Sequence, residues 1–371
     1  MADSSAAVGA RVAQARESAN MTQQQLAVES GIERTALAKI ERGLRRVGAL
    51  ELVDIAGALG VRVEWLLTDA PAAVVAHRTR QDPDLELASI DKHLERIARD
   101  VAVVCGLVPS LTSDQLDARD LPKTGSEAEA LAESTRKAAG LNPTEPVPHL
   151  VDTVARVGLL AFSMPLGAET ADAASTLLES GAVALINSTN SVGRRRLALA
   201  HELGHYLVKD DYTVDWSVAD HAGSDRTEIL LDRFARAFLA PKLGFTRFWN
   251  DVRSRHDLRT AAVLTGSEFN IDMSTIARRL LELELASSDD AQNIRSVRTT
   301  KADIVEYNLK VTYELDGTTL SSAYVKSLLG LYSNERLSAE RTLQLLLGTF
   351  DRDDLPPLRT VRDDELWSLL Q

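Results

Sequence analysis

Residues 194–208 read RRRLALAHELGHYLV. His201 and His205 stand four apart, so on a helix of 3.6 residues per turn their imidazoles lie one above the other on a single face, close enough to share a tetrahedral zinc. Glu202 follows the first histidine, offset around the helix, where it would take a proton from a metal-bound water rather than ligate. Leu197, Ala198, Ala200, Leu203 and Leu207 surround the pair and predict a buried helix. Two imidazoles and a carboxylate are costly to bury without a common purpose. Tyr206 points about 100° away from the histidine face and reads as a packing residue.

A zinc site that works on water takes three protein donors and keeps a fourth position open. The chain has one cysteine, Cys105, which builds no thiolate cluster, so the donors must be imidazoles and carboxylates. Residues 228–241, EILLDRFARAFLAP, form a second apolar helical pattern with Glu228 and Asp232 four apart on one face. Glu228 is expected as the third ligand and Asp232 as acceptor of the far N–H of a ligating imidazole. Two other candidates stand beside Glu228. Asp211 lies six residues after His205, the metzincin spacing, but Val208 replaces the glycine that turns the chain there. His221 sits in the polar stretch 220–225.

Together these segments resemble the ImmA/IrrE family of metallopeptidases over roughly residues 126–285. The resemblance implies a minimal gluzincin-like domain, often attached to a helix-turn-helix, that cleaves a repressor or related regulator and so derepresses phage, mobile-element or stress genes. It carries over His201, His205 and Glu228 as ligands of Zn2+ and Glu202 as general base. The chain departs from the usual family pattern at Leu231 and Asp232, and at none of the ligands.

The first 68 residues are a different kind of segment. Apolar residues recur three and four apart over 8–67, which predicts a compact helical bundle of five helices. Thr22 is a candidate N-cap, Ser30-Gly31 a break, and residues 33–42 a second helix stopped by Gly43. This is helix-turn-helix geometry, in which the second helix enters the major groove. Residues 22–43, TQQQLAVESGIERTALAKIERG, resemble the phage-repressor or XRE family. That resemblance implies Arg34, Thr35 and Lys39 at base edges, Gln23 and Arg42 on phosphates, and an Arg16–Glu41 salt bridge tying the first helix to the recognition helix. Such modules usually bind double-stranded DNA operators as homodimers.

Between and beyond lie weaker signals. Residues 70–83 read as a linker, and Leu85, Leu87, Ile90, Leu94, Ile97, Val101 and Val104 line one face of a helix that serves as a spacer or dimerisation helix or, as such stripes more often do, packs on its own domain. Residues 181–187 read as a strand, a candidate edge on which a peptide substrate could add. Residues 269–285 look like the closing helix of the peptidase domain. Residues 307–315 alternate apolar and polar as a half-buried strand, with a hairpin turn at Asp316-Gly317. The expected fold is mostly α, of α+β class. A helix-turn-helix domain spans 1–69, a linker and long helix 70–124, a helical metallopeptidase domain with a small β-sheet 125–286, and an α/β sensor, docking or structural module 287–371.

Composition bounds the rest. The 371 residues are 44% hydrophobic and 26% charged, ample for more than one core. No basic leader precedes an apolar run and no apolar window is long enough to span a bilayer, so the expectation is a cytoplasmic protein without membrane contact. The net charge is −12, yet residues 1–68 balance eight basic against eight acidic groups. Five of those eight cations fall between Arg34 and Arg46, a local positive face on a chain that otherwise repels phosphate. The combined expectation is a DNA-binding transcriptional regulator whose zinc endopeptidase domain cleaves a repressor, antitoxin or toxin-like partner. The alternative is a non-catalytic autoregulator or antitoxin whose zinc domain grips a partner or senses a ligand.

Overall fold

The computed structural model describes residues 5–18, 21–59, 66, 75–78, 87–112, 117–168, 170–209 and 221–359. The chain is mostly helical with a small sheet, and it divides into two compact units, the first built on the residues before Val74 and the second on those from Val74 onward. No helix among the described residues is long and apolar enough to cross a membrane.

The first unit contains α1 (Ser5–Ser18), α2 (Gln23–Glu29), α3 (Arg34–Glu41) and α4 (Ala49–Leu59). The fifth helix expected of the bundle lies mostly outside the described residues. Thr22 caps α2 in a full capping box with Gln25, satisfying two amide donors that the first turn would otherwise leave bare. Val8, Val12, Leu26, Leu37, Leu52 and Ile55 meet in the core, the apolar stripes of four helices converging as their spacing requires. Gly43 ends α3 at φ +68, and a side chain there would strike Ala6 of α1, so glycine is required by backbone and by space alike.

The second unit runs β1 (Val75–Arg78), α5 (Leu87–Leu107), α6 (Gly125–Ala138), α7 (Leu150–Ala155), β2 (Leu159–Met164), β3 (Ala173–Leu177), β4 (Ala182–Asn187), α8 (Val192–Val208) and α9 (His221–Leu239). There follow α10 (Lys242–Arg255), α11 (Leu258–Phe269), α12 (Met273–Glu282), α13 (Ser288–Ser296), α14 (Lys301–Glu306), α15 (Ser322–Ser333) and α16 (Ala339–Leu345). The sheet order is β1-β3-β4-β2, with β4 parallel to β2 and antiparallel to β3.

Both faces of this sheet are covered, and the strand period of two sorts its side chains between two cores. Leu159, Ala161, Ala173, Ala182, Ala184 and Ile186 face the core that contains α8 and α9. Leu160, Phe162, Ala174, Val183 and Leu185 face the opposite core. The alanines on the first face let α8 approach closely. On the second face lie Ile90, Leu94, Ile97, Val101 and Val104 of α5, together with Tyr324, Leu328 and Leu331 of α15 and Leu345 of α16.

Several expectations change here. The helix expected within the 70–124 linker covers the sheet as part of the second unit, because its apolar stripe is spent on strand side chains. Residues 322–345, within the stretch 287–371 read as a sensor, docking or structural module, close the same core. The strand at 181–187 is not an edge: β4 is paired on both sides and all six of its residues are buried. The closing helix expected over 269–285 begins at Met273, after Asn270 turns left-handed at φ +51 and Asp272 supplies a new cap.

Residues 307–315 do not form a strand either. A capping box between Thr300 and Asp303 starts α14 just upstream, and left-handed Asn308 and Leu315 break any extended run between them. In place of a hairpin, the turn at Asp316-Gly317 leads to a single antiparallel bridge between Thr319 and Ser163 of β2. Two arginines at the start of α8 hold this segment. Arg196, fully buried, pairs with Glu314 and donates to the Val147 carbonyl at 2.7 Å, and Arg195 pairs with Asp316 at 2.8 Å.

Candidate metal centre

α8 is buried along nearly its whole length, ending at Lys209 in the left-handed region that closes many helices. Gly204, between the two histidines, faces α9. A side chain there would come within 3.1 Å of the Phe234 ring and 3.3 Å of Leu231, so its absence lets α9 pack close. That proximity brings α9 carboxylates to the histidine face. Glu228, Asp232 and Arg236 follow one another at four-residue steps on α9 and so share one face.

The structure brings His201, His205 and Glu228 together. The two Nε2 atoms stand 3.0 Å apart, and Glu228 reaches the first at 3.0 Å and the second at 3.5 Å. Donors on a tetrahedral zinc, each at about 2.0–2.1 Å, stand roughly 3.3 Å from one another. Two ring nitrogens and a carboxylate aimed at one point therefore fit a zinc of His2Glu type. Behind the pair, Asp232 Oδ1 lies 3.0 Å from Nδ1 of His201, on the side of the ring away from the converging nitrogens.

Electrostatics tell the same story in the metal-free state. Burial alone would depress the His201 imidazole, but hydrogen bonds to Asp232 and Glu228 outweigh it and hold the group up at about 9. Burial would raise Glu228, and the two histidines instead pull it down to about 2. A proton on His201 places a positive charge between the carboxylates of Asp232 and Glu228.

Glu202 is fully buried. Its Oε2 accepts a 2.6 Å hydrogen bond from Ser175 Oγ on β3, while Oε1 has no partner among the described residues. An orphaned buried carboxylate oxygen is expensive, and a water polarised beside it would satisfy it. Sequence reasoning missed Ser175, since β3 is an alanine-rich strand with little of the β-branched and aromatic composition that marks strands. Of the competing ligands, Asp211 lies outside the described residues, as does the side chain of His221, whose backbone begins α9. Tyr206 is buried in the core.

In the first unit, Arg34, Thr35, Lys39 and Arg42 are all exposed along α3 and its end. Arg16 bridges Glu41 at 2.7 Å, as expected. Gln23, expected on a phosphate, is half-buried and donates its amide to Glu41 at 2.6 Å, while Arg42 Nε donates to the Ala38 carbonyl at 3.0 Å.

Comparison with known proteins separates the same two segments. No match was found among curated proteins. The high-resolution crystal structure of the restriction-modification controller protein C.AhdI from Aeromonas hydrophila matches at 28% identity over 17% of this chain and 96% of that one, with a TM-score of 0.17. Two family models match separate segments of the chain: HTH_3, described as Helix-turn-helix, at residues 12–66, and Peptidase_M78, described as IrrE N-terminal-like domain, at residues 154–281.

Proposed function

We propose that the protein is a cytoplasmic, homodimeric transcriptional regulator that binds a double-stranded operator through its first unit and cuts a protein partner with its second. The partner class is a repressor, antitoxin or related regulator, and the consequence of cutting is derepression of stress, phage or mobile-element genes. The observation that carries the hydrolytic half is the convergence of His201, His205 and Glu228 beside a buried glutamate with one oxygen unpaired.

Zinc, when bound by His201, His205 and Glu228, supplies Lewis acidity for a peptide carbonyl and makes water a nucleophile near neutral pH. The remaining chemistry belongs to the chain. Glu202 accepts the water proton at Oε1 and returns it to the leaving amine as the C–N bond breaks. Ser175 holds the other oxygen, so the carboxylate presents one face rather than rotating. Asp232 fixes His201 so that Nε2 points inward. Closely packed apolar side chains around α8 keep bulk water from competing for these groups.

In the first unit, Arg34, Thr35 and Lys39 reach base edges in the major groove and Arg42 positions the helix on the backbone. Gln23 acts one step back in this reading, buttressing Glu41, which in turn holds Arg16.

The test is a cell carrying the protein with a reporter for its regulated promoter, alongside metal content by mass spectrometry. Glu202→Gln should abolish derepression while keeping about one zinc per chain. Derepression at the wild-type level in that variant would overturn hydrolysis and favour partner binding without cutting.

A further inference from the structure

Asp232 is not the end of the chain of contacts behind the metal centre. Its side chain is 30% exposed, so burial alone does not fix it against His201. The group that faces its other oxygen is Arg236, one turn further along α9, with Nη1 at 3.6 Å from Oδ2. Arg236 is itself confined. Only 8% of its side chain is exposed, and it donates through Nε at 2.9 Å to Glu282 on α12, a carboxylate 7% exposed whose Oε1 also lies 2.8 Å from Nη2. Glu282 is flanked in turn by the fully buried Arg279, whose Nη1 lies 3.5 Å away and whose guanidinium forks onto Glu129 of α6 at 2.5 and 2.9 Å. A line of alternating charges therefore runs from His201 through Asp232, Arg236, Glu282 and Arg279 to Glu129.

We propose that Arg236, anchored by Glu282, is a positioning residue for the metal centre: it holds Asp232 in the rotamer that fixes the His201 ring. This inference rests on the zinc reading above. Three physical points favour positioning over a merely structural bridge between α9 and α12. The planar guanidinium can serve two carboxylates in fixed directions, and here one lies on each side, hydrogen-bonded at Glu282 and in ion-pair contact at 3.6 Å at Asp232. A buried cation with a single carboxylate would be neutral as a pair, whereas Arg236 also faces a second, partly exposed carboxylate that lies against a candidate ligand. Finally, the spacing of Glu228, Asp232 and Arg236 puts ligand, ring acceptor and anchor on one helical face, so the orientation of one is transmitted to the next within a rigid element.

Removing an outer partner of a ligating histidine typically weakens metal binding by about 10–100-fold. The experiment measures the zinc dissociation constant of the full chain by competition with a chromophoric chelator, together with the melting temperature of the chelated protein. Arg236→Met keeps the length and apolar stem and deletes the charge, and zinc affinity should fall by about 10–100-fold. In an Asp232→Asn background the same change should have little further effect, because a residue acting through Asp232 has nothing left to act on. Arg236→Lys should recover part of the loss. Arg233→Met serves as the control: Arg233 lies on the same helix, contacts Glu129 at 3.3 Å, and should leave zinc affinity unchanged.

If Arg236→Met fails to fold, Arg236→Gln carries the same test. Wild-type zinc affinity in a folded Arg236 variant, or equal losses in the presence and absence of Asp232, would overturn the inference while leaving the zinc reading intact. A wild-type chain that takes up no zinc would overturn both.

Discussion

α3 of the first unit and the seam between α9 and α12 of the second both carry a row of charged side chains, and their environments are opposite. Arg34, Lys39 and Arg42 stand in solvent, where a cation costs nothing to keep and is available to a phosphate or a base. Arg236, Glu282 and Arg279 are buried, where each charge is tolerated only because another cancels it. Exposed charge is thus free to meet a partner, whereas buried charge is committed to an internal geometry. The first row acts by what it can reach outside, the second by what it holds still.

The largest effect that would break this contrast is at the metal centre. His201→Ala and Glu228→Ala should each reduce bound zinc from about one per chain to none after dialysis, since two remaining donors make a poor site. Retention of full zinc in Glu228→Ala would return Asp211 or His221 to contention. Next comes Glu202→Gln, for which turnover of the protein partner should drop by about 10²–10⁴-fold at unchanged zinc content, the usual contribution of a positioned base. Equal turnover would place proton transfer elsewhere.

Operator binding should show smaller losses of a different character. Arg34→Ala should cost about 1–3 kcal/mol on a specific operator and relax its sequence preference. Arg42→Ala should weaken binding to all sequences and reduce the salt slope by about one. Zinc uptake, by contrast, should hardly respond to salt, and a strong salt dependence would blur the distinction between the two rows.

The smallest expected effects concern pH in the chelated protein. His201 rises from 6.5 to about 9 on folding, so the stability it contributes is full below pH 6.5 and lost as pH climbs toward 9. Glu228 falls from 4.5 to about 2, and its contribution is full above pH 4.5 and lost as pH drops toward 2. Zinc must displace the His201 proton, so metal affinity moves the other way and strengthens with rising pH. Melting temperatures at pH 6 and pH 9 should therefore separate: the chelated protein declines between them, and the gap to the zinc-loaded form widens. A constant gap would mean that His201 carries no proton in the metal-free state.

Much of both rows is legible in the sequence. The capped turn at Thr22, the stop at Gly43 and the paired histidines follow from local chemistry that does not depend on distant residues. What eludes sequence reading depends on partners far along the chain. Ser175 reaches Glu202 only because β3 lies beside α8, and β3 itself is written in small residues that suit helix packing rather than strand statistics. Residues 87–107 show an apolar stripe, but its destination on the sheet cannot be read from the stripe. Residues 307–315 alternate as a strand should, yet the capping chemistry at Thr300 and two left-handed residues decide otherwise.

One consequence follows for how this chain could be shortened. Arg196 sits on the same helix as the candidate ligands His201 and His205, fully buried, and Glu314 supplies its counter-charge from 118 positions downstream. A chain ended at residue 286, where the peptidase pattern stops, would strand that cation in a core, and breaking a buried pair from one side costs about 3–5 kcal/mol. The catalytic-looking core and the stretch that follows it are therefore not interchangeable parts. A cut at residue 286 would pass through one compact unit rather than between two.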